Sequence, residues 1–374
     1  MRETQGGGLL VRNICFLLGN IQGNGGIARV VSIIANELRK NENFKVTLIS
    51  YCPAVEPAGY TYSEKIVFDQ LYPERISMTK AILTGNAVGR LKKALAGAKA
   101  DVLIACGALY FPLAVLATAK SATKCYCWEH SDPAGTSDHK FQMLSRKIAV
   151  KKADKIILLT KAARDYYAKT LGAGEEKLLQ IYNPVSDKAA NSTEYDAASK
   201  KILSVGRLTY QKNFQLLVEI AEKVLAEHPD WIWDICGEGE DRAELEKMIE
   251  EKGLEGKLFL RGQVKDMYQR YREYAFLVMT SRYEGFPMSL IEGAANRLPL
   301  FAFDVPTGPA EIISDGENGF LIEADKKELM ADKICTLIED AELRARMSAR
   351  AYEGAKSFEL KSIIKTWENI LMEN

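Results

Sequence analysis

Residues Ser281 to Glu292 read Ser-Arg-Tyr-Glu-Gly-Phe-Pro-Met-Ser-Leu-Ile-Glu. Glu284 stands in a loop bounded by Gly285 and Pro287. Pro287 opens an apolar run and reads as the first residue of a helix, a position proline favours. Glu292 then falls about two turns in, on the same early flank. Backbone N–H groups between the two acids are left over at the helix start, where the dipole is positive, so an anion such as a phosphate is favoured. An acid beside a phosphate site usually has hydroxyls to hold. The segment therefore reads as a place for a phosphate and a sugar on one molecule, a nucleotide sugar.

Cations stand ready for the phosphates. Gly206-Arg207-Leu208-Thr209-Tyr210-Gln211-Lys212-Asn213 follows an apolar strand, with Arg207 at the strand's carboxyl end and Lys212 just before a helix. Two cations framing such a turn can neutralise a diphosphate, although most single Arg and Lys residues are only solvated. Gly237-Glu238-Gly239 ends another strand and reads most simply as a tight turn. Arg261 to Val264, after a third, could shape a pocket for a base through its backbone. Near the start, Gly23, Gly25 and Gly26 join a strand to a helix, where glycines let a phosphate or sugar approach the backbone. The spacing is not G-x-G-x-x-G, and the next strand ends at Ser50 rather than at an acid, so a nicotinamide or flavin cofactor is disfavoured. Trp128-Glu129-His130-Ser131-Asp132 closes a further strand. His130 is one of 3 histidines, and Glu129 or Asp132 could touch an acceptor hydroxyl. A lone His is more often structural than catalytic. There is no His-x-x-x-His, Asp-x-Asp or Ser/His/Asp ordering, so neither a metal-dependent mechanism nor a hydrolase triad is supported.

The elements that carry these residues alternate. Apolar runs at 13–18, 46–50, 101–106, 125–128 and 155–160 read as strands, with helical stretches near 87–99, 110–120, 139–152 and 161–170. Asn183-Pro184 and the polar residues 187–199 mark a boundary. Strands then resume at 201–205, 231–236, 257–260, 276–280 and 300–303, with helices at 214–227, 240–252, 288–295, 325–338 and 358–372. Alternation of this kind predicts two tandem α/β, Rossmann-like doubly wound domains facing across a cleft, each binding ligands beyond the carboxyl ends of its strands. Residues 1–182, with 357–374 returning as a crossover helix around Trp367, form the first domain; residues 183–356 form the second.

Composition fits this reading. The chain has 374 residues, 47% apolar and 27% charged, as in soluble globular proteins. No run of about 18 apolar residues predicts a membrane span, and Met1 to Arg12 shows no secretory h-region, so the cytoplasm is expected. The 7 cysteines lie mostly in apolar runs and read as reduced core thiols, Cys125 and Cys127 included. Gly6 to Gly8 read as a loose leader. Residues 1–186 hold 25 Lys and Arg against 15 Asp and Glu, and the remainder 25 against 35. A basic first half suits an anionic membrane or a phosphorylated acceptor, or else ordinary solvated helix faces. The basic stretch 75–99, with Arg75, Lys80, Arg90, Lys92, Lys93 and Lys99, is the candidate for peripheral contact with lipid. No nucleic-acid partner is expected.

Taken together, Gly25-Gly26, Gly206-Arg207 with Lys212-Asn213, Gly237-Glu238-Gly239, the Glu284…Glu292 pair and Asp304…Gly308…Glu311-Ile312 resemble the retaining glycosyltransferases of family four, of GT-B fold. The likeness spans nearly the whole chain and is densest over 200–322. It implies that Arg207 and Lys212 hold the donor diphosphate, with Gly25 and Gly26 closing on it. Gly206, Val264, Met288 and Ser289 would complete the donor site. Glu284 would bind the donor sugar, Glu292 the ribose, and His130 would lie at the sugar from the acceptor side. It further implies a hexose or N-acetylhexosamine moved from a UDP-sugar, with no cofactor and no metal, to a glycan or lipid-linked acceptor in surface-polysaccharide synthesis. The rival readings are an epimerase or phosphorylase on the same fold and a non-catalytic subunit that binds a nucleotide sugar.

Overall fold

The computed structural model describes residues 11–21, 25–52, 60–74, 76, 86–186, 194–264 and 267–373. Gly6 to Gly8, Gly23, Arg75, Lys80 and the boundary residues 187–193 lie outside them. The chain divides into two compact units, 1–184 with 361–374, and 185–360.

The first unit is a seven-stranded, all-parallel sheet in the order β3-β2-β1-β4-β5-β6-β7. Its strands are β1 (Arg12–Leu18), β2 (Phe44–Ser50), β3 (Val67–Gln70), β4 (Val102–Cys106), β5 (Lys124–Trp128), β6 (Lys155–Leu158) and β7 (Leu178–Gln180). Helices Gly26–Leu38, Asn86–Gly97, Phe111–Thr118, Lys140–Lys152 and Lys161–Lys169 cross between them. The central strands are buried on both faces and read as unbroken apolar runs (Cys-Phe-Leu-Leu, Val-Leu-Ile-Ala-Cys), as parallel sheets require. The last helix, Leu360–Met372, joins this unit by packing Trp367 on Trp128, ring centroids 4.7 Å apart, and near Phe16 at 6.4 Å. Tyr126 donates to its Ile370 carbonyl.

The second unit is a six-stranded parallel sheet in the order β10-β9-β8-β11-β12-β13. These are β8 (Lys201–Val205), β9 (Ile232–Cys236), β10 (Leu258–Gly262), β11 (Phe276–Met279), β12 (Leu300–Asp304) and β13 (Gly319–Glu323). Helix Phe214–Glu227 buries Phe214, Leu217, Val218, Ala221 and Leu225, spaced three and four apart as an amphipathic helix must. Each of these side chains other than Ala221 contributes about 1.5–3 kcal/mol by leaving water. Buried Arg344 closes the end of helix Lys327–Glu339 by donating to the carbonyls of Leu337 and Ile338 at 2.6 Å each.

In both sheets the order reverses beside the first strand, between β1 and β4 and between β8 and β11. These are the switch points where doubly wound sheets bind ligands. Besides the single turn of helix Met267–Arg270, four elements escape the sequence patterns. Strand β3 is exposed at every residue and lacks an apolar face, β7 has three residues, and β13 is a short run behind Asn318. Helix Ala341–Ala355 buries only scattered small residues, Arg344 and Met347. The apolar positions of helix Asn86–Gly97, Ala87, Leu91 and Leu95, face the core, while Arg90, Lys92, Lys93 and Lys99 are exposed.

Candidate functional site: the carboxyl edges of the two sheets

At the switch point of the second unit, the loop after β8 and the loop after β11 are laced together. Arg282 donates its backbone N–H to the Gln211 carbonyl at 2.8 Å, and the Gln211 side chain donates to the Tyr283 carbonyl at 3.0 Å. The Thr280 hydroxyl donates to the carbonyls of Lys212 and Asn213, and Arg282 stacks on Tyr210. This lacing places Lys212 Nζ 2.5 Å from Glu284 Oε1, both side chains largely buried. Arg207, on the same loop, is exposed and has neither hydrogen bond nor ion pair among the described residues. The edge thus carries one committed cation and one uncommitted cation beside an acid.

Several backbone supports hold this edge. Thr307 donates its hydroxyl to the Glu284 carbonyl. Gly308 has φ +100°, and a Cβ there would fall 2.7 Å from Pro287 Cδ and 3.5 Å from Glu284 Cβ. The Gly237–Gly239 turn fastens the Arg207 loop from the other side. Leu208 N–H donates to the Glu238 carbonyl at 2.9 Å, and a Cβ on Gly239 would sit 2.1 Å from the Leu208 carbonyl oxygen. Both glycines are therefore needed for close approach.

Helix Met288–Ala295 begins one residue later than proline's preference suggests, since Pro287 takes the cap position with extended backbone. No side chain caps that end, so Met288 and Ser289 sit at an uncapped helix start. Glu292 lies in the second turn, buried, and accepts from the Tyr271 hydroxyl at 2.9 Å. Gly206 donates its N–H to Cys236 O at 3.1 Å. Val264 lies beyond β10, two strands from β8, away from the Lys212–Glu284 pair. The one trio of close metal-capable donors among the described residues, Glu227, His228 and Cys335, sits at the far end of helix Phe214–Glu227, at the opposite edge of this sheet.

The first unit presents its own carboxyl edge. Gly25 caps helix Gly26–Leu38 with ordinary extended backbone, and a Cβ on Gly25 or Gly26 would meet nothing within 4 Å. The fold itself therefore does not require glycine there; the two residues leave the helix start bare. After β5, Glu129 is buried against Arg146, Nε to Oε2 2.7 Å. Tyr167 and Ser131 hydroxyls also donate to it, at 2.9 and 2.7 Å, and Arg146 reaches Thr136 at 2.8 Å. Burial opposes the charge on Glu129, but the Arg146 guanidinium and these donors outweigh it and hold the carboxyl below its usual range. Glu129 is therefore not available to an acceptor hydroxyl as the sequence suggested. Asp132 is likewise buried, and its Oδ1 is engaged by the Ala134 N–H at 2.8 Å. Together these bonds clamp the loop 129–136 that carries His130. Arg146 carried no signal in the sequence beyond being one cation of a helix.

His130 packs on Trp128, centroids 4.3 Å apart, which packs on Trp367. Its Nε2 is enclosed, without a hydrogen-bond partner among the described residues. Burial pushes its pKa down to about 4, against the smaller pull of Glu129. The imidazole is thus neutral at pH 7. A nuclear magnetic resonance titration should show His130 unchanged from pH 8 to 5.5, with a midpoint near 4. Because the unfolded chain takes up this proton near 6.5, stability present above that pH declines as pH falls toward 4. A His130→Gln variant should flatten that part of the pH–stability curve.

Two tandem parallel α/β units of this kind are the GT-B fold, and comparison with known proteins supports a glycosyltransferase. Residues 24–188 match the model of Glycosyltransferase Family 4, and residues 186–354 that of the Glycosyl transferases group 1. Along its length the chain is 29% identical to the amylovoran biosynthesis glycosyltransferase AmsD of Erwinia amylovora, covering 96% of this chain and 99% of that one. It is 28% identical to the poly(ribitol-phosphate) alpha-N-acetylglucosaminyltransferase of Staphylococcus aureus, covering 91% of this chain and 70% of the other. The fold is shared with a solved mutant of S. aureus TarM, in complex with fondaparinux, alpha-GlcNAc-glycerol and UDP. The TM-score is 0.81 at 17% identity, over 97% of this chain and 100% of that chain.

Proposed function

We propose that the chain moves a hexose or N-acetylhexosamine from a UDP-sugar to a glycan or lipid-linked acceptor, with retention of configuration and without a metal. The observation that carries this reading is the Lys212–Glu284 pair at the switch point, with uncommitted Arg207 beside it. In the free protein the two side chains neutralise each other. A donor would part them: the diphosphate takes the ammonium and Arg207, and the sugar hydroxyls take the Glu284 carboxylate. Glu292, held by Tyr271, serves the ribose, and the bare starts of helices Met288–Ala295 and Gly26–Leu38 offer N–H groups to anions. The second unit is thus the donor side and the first the acceptor side.

Among the described residues neither edge offers a well-placed enzyme nucleophile, which favours front-face displacement. The acceptor oxygen forms its bond to the anomeric carbon on the face from which the diphosphate leaves, and a phosphate oxygen takes the acceptor's proton. Arg207 and Lys212 stabilise the charge that gathers on the leaving group. His130, neutral and with its Nε2 enclosed, serves no acid role on the acceptor side. The names of the relatives favour transfer over epimerisation or phosphorolysis, and favour a polysaccharide product. No helix among the described residues is long and apolar enough to cross a membrane, and we place the enzyme in the cytoplasm, peripheral at the membrane where a lipid-linked acceptor requires it.

The reading predicts UDP release from one member of a UDP-sugar panel, dependent on acceptor, undiminished in excess EDTA, and yielding a product of the donor's anomeric configuration. Loss of activity in EDTA with recovery in Mg²⁺ or Mn²⁺ would overturn metal independence, and an inverted product would overturn retention.

A further inference from the structure

A groove of about 1210 Å³ opens in the first unit at the β3 edge, over the amino-terminal halves of β1 and β2. Its floor is one face of the sheet, where Asn13, Lys45, Thr47, Val67 and Asp69 lie beyond the cover of helix Asn86–Gly97. Six cations line it, Arg39, Lys45, Lys65, Arg90, Lys93 and Lys99, against the single acid Asp69. Arg39 and Arg90 donate to the carbonyls of Phe44 and Leu71. The four lysines are exposed and have no acidic partner among the described residues.

This arrangement is not explained by the fold. Lysine on an edge strand ordinarily blocks strand addition, but none of these stands on β3: Lys65 is in the turn before it, Lys45 on an inner strand, Lys93 on a helix and Lys99 in the loop before β4. Six cations against one acid leave a local excess of positive charge that a polyanion would offset. Exposed Val67 and Phe68 lie among the cations, so the lining alternates charged and apolar patches. A concave channel of this kind suits a flexible chain with regularly spaced negative charges and carbon segments between them. A flat lipid surface would meet the helix instead, whose apolar positions are already spent on the core.

We propose that this groove docks a phosphodiester-linked polyanion, holding the acceptor polymer at a distance from its reacting end. Lys45 is five residues before the carboxyl end of β2, about 17 Å at the usual strand rise, so the docked segment lies a few polymer units from the edge that carries Gly25 and His130. Only the identification of the polyanion as acceptor rests on the transferase reading. The binding test uses no turnover, so failure of one is distinguishable from failure of the other.

The test is fluorescence anisotropy with labelled long-chain polyphosphate as probe, on the whole protein, the K45E/K93E/K99E variant and a K151E/K152E control at the end of helix Lys140–Lys152. Circular dichroism and a cooperative thermal unfolding transition report that each variant is folded. Wild type and control should bind, with affinity falling about 20-fold between 50 and 150 mM salt for four phosphate contacts at roughly 0.7 per contact. The triple variant should lose at least tenfold while keeping its circular dichroism and unfolding transition. Equal binding by variant and wild type would overturn the proposal. So would inorganic phosphate competing as well as the polymer, or phosphatidylglycerol vesicles binding through these lysines while polyphosphate does not.

Discussion

Arg207→Ala and Lys212→Ala each lower kcat/KM for the donor by about 30- to 1000-fold, equivalent to about 2–4 kcal/mol of transition-state stabilisation. The size follows from what each cation faces. In front-face displacement the negative charge grows on the departing diphosphate, and preorganised cations at that point act in a partly dehydrated site. The two variants separate in a second readout. Arg207 is exposed and unpaired among the described residues, so its removal leaves the melting temperature unchanged. Lys212 compensates the largely buried carboxylate of Glu284, so its removal also costs about 1–3 kcal/mol of stability. A Lys212→Ala/Glu284→Gln double variant should regain part of that stability and none of the activity. Steady-state kinetics with thermal unfolding checks both, and near wild-type turnover in either folded single variant would remove these residues from the mechanism.

Arg146→Met destabilises the first unit by about 3–5 kcal/mol, on the order of 10 °C in its unfolding transition. Arg146 and Glu129 have essentially no exposed side chain, so the variant strands a carboxylate in the interior. It also removes the bonds that tie Ser131 and Thr136 to the same guanidinium, and with them the conformation of the loop bearing His130. Arg146→Lys restores charge but not the several-fold donation, and should recover only part of the loss. A Glu129→Gln/Arg146→Met pair should be more stable than Arg146→Met alone, because no charge is left unpaired. Calorimetric scanning of the four proteins decides this; equal transition temperatures for wild type and Arg146→Met would show that the pair does not hold the loop.

The fold was legible wherever burial on both faces made a strand an apolar run. β1, β4, β8 and β11 are of this kind, and they are the strands beside the switch points. Strand β3 was not, because its four residues are exposed and its place is set by pairing with β2. The candidate site shows the same division. Strand-end logic put Lys212 and Glu284 at the edge, but not their mutual contact across 72 positions, which depends on the lacing of two loops. Glu129 and Asp132 shared that edge and looked equally free. Local composition cannot tell that Arg146, 17 residues on, turns inward to neutralise Glu129, because a helical arginine points outward far more often. Nor can it show an excess of unpaired lysines, since Lys45, Lys65, Lys93 and Lys99 become neighbours only once the strands pair.

The central claim is that the switch point of the second unit holds a nucleotide diphosphate through Arg207 and Lys212. Calorimetric titration of UDP in EDTA tests it most directly, on wild type, Arg207→Ala and Glu284→Gln. The account predicts that UDP binds wild type, binds Arg207→Ala at least tenfold more weakly, and binds Glu284→Gln comparably to wild type while UDP-sugar loses its advantage over UDP. Equal UDP affinity in wild type and Arg207→Ala, or no binding by wild type at all, would contradict it.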